Sequence, residues 1–369
     1  MRCAIVLSDL GAGGTQRLAL GLALHLRGRG LGVDVLTLDA PGVASFFPVP
    51  DGVGVTGLDL TAPSAHALGA LRANLGRIRT LRKALARVQP DLVVSFLTST
   101  NILTLLAART LGVPVIVAEE SDPGHEPVPR AWALMRRLTY GQARHIVVHS
   151  QGAGAYFRGT AARRVRVIPN PVGPCRADPS PEAPMQPRLP LVVAMGRLST
   201  EKGFDLLIAA FAQVAPRHPD WSLTILGDGP LRPELELQAA ALGLADRVAL
   251  SGYSRAPAET LRRASIFCSA ARIEGFGIAL CEAMACGLPV VATDAPSGPR
   301  DIVRPGIDGD LVPVGATEAL AAALSALMAD PGRRRAYGDR AVEVTERFSP
   351  ARVWAAWDAL IDADAGKGP

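Results

Sequence analysis

The chain has 369 residues, enough for two domains and a sizeable core, and its 49% hydrophobic and 20% charged residues exclude a disordered or collagen-like polymer. Net charge is +5, yet residues 1–178 hold 20 Arg and Lys against 11 Asp and Glu while the remainder holds 19 against 23, so the first half is basic (+9) and the second acidic (−4). Five cysteines (Cys3, Cys175, Cys268, Cys281, Cys286) with no C-x-x-C pair point to neither a disulfide framework nor a zinc module, and a reducing cytosol is the default compartment.

The opening MRCAIVLSDLGAGG carries one cation and too short an apolar run for a secretory leader, so it reads as a first buried strand. Short β-branched runs follow at 33–38, 92–97, 113–118 and 145–149, separated by helix-period segments such as Arg17 to Arg27. Residues 92–108 contain Ser95, Thr98, Asn101 and Thr104 and are too polar to span lipid. Seven prolines fall between Pro171 and Pro190, a density no helix or central strand accepts, which makes 171–190 a linker. The pattern then restarts, with strands expected at 191–195, 222–226, 247–250, 265–268, 289–292 and 311–313. Strands alternating with helices predict α/β architecture: two doubly wound, Rossmann-like domains, 1–170 and 191–348, facing one another across a cleft. A last amphipathic segment within 349–369, from Pro350 through Trp354 and Trp357 to Ile361, is placed to pack back on the first domain.

Three loops carry the chemistry. Gly11-Ala12-Gly13-Gly14 ends the first strand before a helix and forms an anion site of backbone N–H groups; the dinucleotide fingerprint needs glycine where the chain has Gln16, so that reading fails on spacing. In the second domain, Arg197-Leu-Ser-Thr-Glu-Lys202-Gly203 follows a strand and puts two cations beside a helix start, which suits a diphosphate. Then Glu274-Gly275-Phe276-Gly277-Ile278 leads into a helix bearing Glu282, eight positions on, so both carboxylates can accept hydroxyl hydrogen bonds from one ligand.

E-x7-E with EGFG at its start, GRLSTEKG, the GAGGTQR loop, VIPNPV at 167–172 and PSGPRDIV at 297–303 together resemble family 4 of the glycosyltransferases, with the retaining GT-B fold. The PSGPR variant is similar to the branch that builds bacterial surface or lipid-linked glycans from UDP-sugars. The resemblance implies that Arg197 and Lys202 hold the donor diphosphate, Glu282 the ribose, and Glu274 the donor sugar. It assigns the backbone of Phe276, Gly277 and Ile278 to sugar and phosphate, Gly13 and Gly14 to phosphate, and the Gly252-Tyr253 turn to the base. Relatives often carry a SERNDP-like segment where this chain reads Ala118-Glu-Glu-Ser-Asp-Pro123, which leaves Glu120 in place of a cation and His125 as the other acceptor-side candidate.

The implied reaction moves a hexose or N-acetylhexosamine from a UDP-sugar or other nucleotide sugar to a glycan or lipid-linked acceptor, with no cofactor and no metal. The expected cleft-forming loops show no D-x-D, and Asp362-Ala-Asp364 lies in the expected frayed tail. A sugar-nucleotide epimerase would need acid and base groups that the motifs do not supply, and a non-catalytic sugar-nucleotide subunit would not need all four charged residues. No aromatic, cation-interleaved patch indicates nucleic acid. Residues 60–90 hold no Asp or Glu but six cations, Arg72, Arg77, Arg79, Arg82, Lys83 and Arg87, beside a stripe of Leu68, Leu71, Leu75, Ile78, Leu85 and Val88. The stripe is expected on the domain's own sheet, and the Arg72–Arg87 row on an anionic membrane surface, extended by Arg130, Trp132, Arg136 and Arg137. The protein is expected in the cytoplasm, peripheral to the inner face of the membrane.

Overall fold

Each run of alternating signals closes into its own parallel sheet. A computed structural model describes residues 1–61, 67–126, 128–175 and 188–365. It divides into a first unit, Met1–Asn170 with Ala351–Pro369, and a second, Pro171–Pro350.

The first sheet contains β1 (Arg2–Leu7), β2 (Gly32–Thr37), β3 (Gly54–Gly57), β4 (Leu92–Phe96), β5 (Val115–Glu119), β6 (His145–Val148) and β7 (Val165–Val167), in the order β3-β2-β1-β4-β5-β6-β7. All pairs are parallel, and β1 lies between β2 and β4, so the order reverses beside it. In such sheets the reversal leaves a crevice at the carboxyl edge. Strands β4 and β5 are buried along their whole length, as a sheet covered on both faces requires. Two strands escape the sequence reading for a common reason: β3 is Gly-Val-Thr-Gly at an exposed edge and β7 is three residues long, so neither carries an apolar run.

Helix α1 (Gly14–Gly28) covers one face of this sheet. The other face is covered by α2 (Ala67–Val88), α3 (Thr98–Ala108) and α4 (Arg130–Thr139), which pack side by side in that order. Ile78, Leu85 and Val88 of α2 pack on the sheet, as the stripe predicts, joined by Leu81, which the stripe does not include, but Leu75 is exposed; the side chains of Leu68 and Leu71 lie outside the described residues. The expected extension of the basic patch needs correction. Arg136 is buried, donating to the Pro123 carbonyl and the Tyr156 hydroxyl, both at 2.8 Å, and Trp132 packs against the core. The outward face of α4 is instead Arg130, Ala131, Leu134, Arg137 and Leu138, with Leu134 58% and Leu138 62% exposed.

The second sheet contains β8 (Leu191–Met195), β9 (Ser222–Leu226), β10 (Val248–Gly252), β11 (Ile266–Ser269), β12 (Val290–Thr293) and β13 (Gly309–Val312), in the order β10-β9-β8-β11-β12-β13, again all parallel. Short helices at Gln151–Ala155 (α5) and Gly159–Ala162 (α6) close the first unit's alternation. Helix α7 (Phe204–Val214) packs one face of the second sheet through Phe204, Leu207 and Phe211. Between them, α8 (Arg232–Ala241), α9 (Pro257–Arg263) and α10 (Ile278–Ala285) complete the crossovers, and Leu280, Cys281 and Met284 of α10 pack the opposite face.

The chain then runs through α11 (Pro299–Ile302), α12 (Thr317–Ala329), α13 (Pro331–Ala341) and α14 (Val344–Arg347) into α15 (Pro350–Ala365), which joins the first unit's core through fully buried Trp357 and Ile361. Trp354 stacks on His25 of α1 at 5.4 Å, and Asp358 accepts from His25 at 2.9 Å and Arg29 at 2.8 Å. Asp362 is therefore not in a frayed tail: it sits on α15 and takes both carboxylate contacts from Arg29 at 2.9 Å. No helix among the described residues is long and apolar enough to cross a membrane.

The cysteine reading is corrected too. Cys175 and Cys286 form a disulfide across 111 positions, while Cys3, Cys268 and Cys281 are buried thiols. Spacing cannot reveal such a pair; the fold brings the chain after Val172 to the end of α10. Residues 176–187, the heart of the proline-rich stretch, lie outside the described residues. Closing a loop of about 100 residues constrains the unfolded chain by about 4.7 kcal/mol in the chain-entropy account. Dithiothreitol is therefore expected to lower the melting temperature by roughly 5–15 °C, read by calorimetry, and an unchanged transition contradicts a structural bond.

Candidate active site

At the carboxyl edge of the second sheet, β8 runs into Gly196, Arg197 and a single 3-10 turn, Thr200–Lys202, before α7. Gly203 links the two at φ 64°, and a Cβ there would lie 2.0 Å from the Ala270 carbonyl oxygen, so only glycine lets the turn sit on the end of β11. Gly227, at φ 140°, likewise would place a Cβ 1.9 Å from the Gly196 carbonyl, pressing the loops after β8 and β9 together.

This packing puts Lys202 beside Glu274. The ammonium lies 2.9 and 3.1 Å from the two carboxylate oxygens, with both side chains partly buried. Loop 270–277 is tied to the same turn by the Arg272 amide donating to Glu201 at 2.8 Å, and by the Arg272 guanidinium, which grips Asp205 at 2.6 and 2.7 Å. That grip holds the Asp205 carboxyl below its ordinary range. Arg197 is exposed and makes no side-chain hydrogen bond or ion pair among the described residues.

Gly277, at φ 109°, opens α10, and buried Phe276 just before it meets Phe348 edge-on at 5.4 Å. Gly298 of the PSGPR segment, at φ 87°, would bring a Cβ 2.1 Å from the Phe276 carbonyl, so this loop backs directly onto the start of α10. Arg300 in that segment pairs with Asp294 at 2.5 Å. Met195, Lys202, Ala270, Glu274, Gly277 and Pro299 border one hollow. Gly275 is buried, Ile278 begins the helix, and Glu282 is half-buried one turn on. Gly252, at φ 75°, accepts from the Gly227 amide at 2.8 Å, and the Tyr253 ring beside it is exposed. Lys202, Glu274 and Gly277 thus share one hollow, with Arg197 on the same sheet edge.

Gly13, Gly14, Glu120 and His125 belong to the first unit. Gly13 caps α1, whose first turn has no acidic residue. Gln16, which breaks the dinucleotide fingerprint, is buried and donates to Asp9 at 2.8 Å; its carbonyl oxygen would lie 2.3 Å from a Cβ on Gly13. A side chain at Gly13 would therefore have to displace the glutamine folded over it.

After β4, Leu97 sits at φ 73°, a strained backbone for a non-glycine residue, and Thr98 donates to Glu119 at 2.8 Å. Glu119 is fully buried at the end of β5, also accepts from the Tyr140 hydroxyl, and is pushed above the ordinary carboxyl range by burial. Asn101 fastens the cluster, donating to the Ala118 carbonyl at 2.8 Å and to Tyr140 at 3.1 Å. The candidate Glu120 is not open to solvent: its carboxylate lies 2.9 Å from His149 Nε2. His125 is exposed and meets Asp122 at 2.8 Å. Sequence reasoning missed Glu119, Tyr140 and His149. The one usable signal is that β5 and β6 end together, with Glu119 opposite Val148, which makes 120 and 149 the next pair.

Residues 13–171 match the family described as glycosyl transferase 4-like domain, and residues 180–344 match glycosyl transferases group 1. An exopolysaccharide phosphotransferase of Streptomyces coelicolor is 31% identical over 95% of this chain, which spans 39% of that protein's length. A Campylobacter jejuni GalNAc-alpha-(1->4)-GalNAc-alpha-(1->3)-diNAcBac-PP-undecaprenol alpha-1,4-N-acetyl-D-galactosaminyltransferase is 25% identical over 98% of both chains. The crystal structure of Anabaena HepE in complex with UDP-glucose superposes with a TM-score of 0.80 over 100% of both chains at 21% identity, a likeness of fold.

Proposed function

The chain belongs to the group 1 glycosyltransferases of the GT-B fold, and we propose that it transfers a hexose or N-acetylhexosamine from a nucleoside-diphosphate sugar, a UDP-sugar, to a glycan or lipid-linked glycan acceptor with retained anomeric configuration. The observation that carries this is the Lys202–Glu274 pair bordering one hollow with the start of α10, while Arg197 on the same edge has no side-chain partner among the described residues.

The difficult part of the reaction is the departure of a nucleoside diphosphate, whose negative charge grows as the glycosidic bond breaks. Fixed cations and amide donors aimed at that charge lower the barrier without reorganising. Lys202 spends two donors on Glu274 and keeps its third N–H for a phosphate oxygen. Arg197 has its whole fork available. The amides of Gly277 and Ile278 at the start of α10 add donors where a helix dipole favours an anion. Glu274, besides aligning Lys202, offers lone pairs to hydroxyls of the donor sugar, and Glu282 offers the same to the ribose. This set neutralises the leaving group with protein charges alone, so the reaction is read as metal-independent.

The test is a panel of UDP-, GDP- and ADP-sugars, monitored by thermal stabilisation and slow donor hydrolysis, with and without EDTA. UDP-sugars are expected to stabilise the chain and to be hydrolysed equally with chelator. Calorimetry on Glu282→Gln should show UDP bound roughly tenfold more weakly, for loss of charge-assisted acceptance from the ribose. No stabilisation by any nucleotide sugar overturns the reading, complete loss with EDTA overturns metal independence, and unchanged UDP affinity removes Glu282 from the site.

A lipid-linked acceptor requires the first unit to meet a membrane. On one side of its sheet, α4 presents Leu134 and Leu138 beside Arg130 and Arg137, and α2 presents Arg72, Arg79, Lys83 and Arg87. Each cation near an anionic leaflet contributes about 1 kcal/mol, and the leucines can enter the interface. Co-sedimentation with vesicles is expected to need anionic lipid and to fall with salt. It should drop on R79E/K83E/R87E or on Leu134→Ser with Leu138→Ser. Equal binding to neutral vesicles, or none to either kind, favours a soluble acceptor.

A further inference from the structure

We infer that His149 is a positioning residue for the transfer: a proton shared with Glu120 fastens the start of loop 120–126 to the carboxyl edge of the first sheet and keeps that loop in its acceptor-competent form. The meaning of the loop rests on the glycosyl-transfer reading; the proton-holding pair does not.

The two side chains are sealed from solvent, His149 at 1% and Glu120 at 8% exposure, one residue beyond the paired ends of β6 and β5. Nδ1 of His149 lies 2.8 Å from the Ile168 carbonyl oxygen, which can only accept, so Nδ1 carries a proton. Nε2 lies 2.9 Å from Glu120 Oε1, and that contact needs one further proton, on the imidazole or on the carboxyl. Remove it and a nitrogen lone pair faces a carboxylate in a site closed to water, an arrangement that must open. Burial alone drives a histidine towards neutrality. Here the Glu120 carboxylate, the Ile168 carbonyl and the neighbouring Glu119 carboxylate outweigh it and raise the His149 titration above the ordinary range.

The other charged and titratable groups nearby are already engaged. Glu119 is held by Thr98 and Tyr140, and Arg136 donates to Pro123 and Tyr156. Asp122 accepts from the Gly124 amide and from His125, both at 2.8 Å, and Glu126 accepts from Ser121. Loop 120–126 is thus pinned near its middle by Arg136 and at its start by His149, and the proton shared with Glu120 governs the second tie. Because the folded titration is raised, the tie is complete at low pH and is lost as pH rises through it.

The experiment follows His149 by NMR on protein labelled with 15N and 13C at histidine, alongside hydrogen exchange of the amides of residues 121, 122 and 124–126. Transfer is measured from UDP-N-acetylgalactosamine to a short-chain prenyl-diphosphate-linked N-acetylhexosamine. In wild-type protein the exchange rate of the loop, corrected for the intrinsic base catalysis of amide exchange, and the KM for this acceptor should both rise about tenfold across the His149 titration, with the KM for the donor unchanged. Glu120→Gln is the diagnostic variant. Its side-chain amide donates to a neutral Nε2 while Nδ1 still donates to Ile168, so the contact survives without the shared proton; the His149 titration should fall and the rise in loop exchange should vanish. His149→Ala should show fast loop exchange at every pH, in protein whose melting confirms folding. A His149 titration at the ordinary value, or loop exchange that ignores it, overturns the inference even if transfer is robust. If the NMR and exchange results hold while no nucleotide sugar is turned over, the pair stands and the glycosyl-transfer reading falls.

Discussion

Replacing Arg197 or Lys202 with alanine is expected to slow donor turnover about a hundredfold, since each removes a charge-assisted contact to a departing diphosphate, about 2.7 kcal/mol of barrier. The structure separates the two cases. Arg197 is exposed and has no side-chain partner among the described residues, so Arg197→Ala should leave the melting temperature unchanged and lower the rate alone. Lys202 also neutralises Glu274, so Lys202→Ala strands a partly buried carboxylate and should cost stability as well. Adding Glu274→Gln should restore that stability but not the rate, and the combined rate loss of Lys202→Ala with Arg197→Ala should fall well short of the product, because both act on one group. Melting curves and donor hydrolysis measured on the same preparations decide this. Near-normal turnover in either alanine variant would move the diphosphate site elsewhere.

Gly203→Ala is expected to be among the most damaging single methyl groups in the second unit. At φ 64° alanine meets a left-handed backbone, an expense of about 1 kcal/mol. Its Cβ would also stand 2.0 Å from the Ala270 carbonyl oxygen, a backbone atom that cannot swing aside, so the turn carrying Lys202 must lift away from β11. Together these predict a loss of roughly 3 kcal/mol or more, with Lys202 drawn off Glu274. Gly243→Ala is the control. Its φ is 69° but nothing lies within 4 Å of a Cβ there, so only the conformational part, about 1 kcal/mol, should remain. Equal melting temperatures for the two variants would show that contact with Ala270 is not what selects glycine.

The interior strands were legible because a parallel sheet covered on both faces demands continuous apolar runs, and RCAIVL, LVVSF and LVVAM answer that demand locally. The donor-side candidates were legible for a related reason. Turns between strand and helix need particular backbone angles, so glycines at 203 and 277 mark the places where the chain bends beside its chemistry. Even so, the motif around Glu274 did not reveal that Lys202 would be its ion-pair partner 72 positions away.

What the sequence alone could not decide depends on which residues the packed sheets bring side by side. Edge strands β3 and β7 bury little and therefore leave no pattern. Arg136 and Trp132 look like surface residues until α4 is rotated onto its sheet, which turns Leu134 and Leu138 outward instead. Cys175 and Cys286 show no spacing signal, and Glu120 shows only an acid in an unexpected place. Its partner, His149, lies on the neighbouring strand end, and the register of β5 against β6 is what makes the two adjacent. Local propensity and burial act over a few residues and were readable from the chain; contacts closed by register and helix rotation depend on all the neighbours at once, and only the tertiary structure determined them.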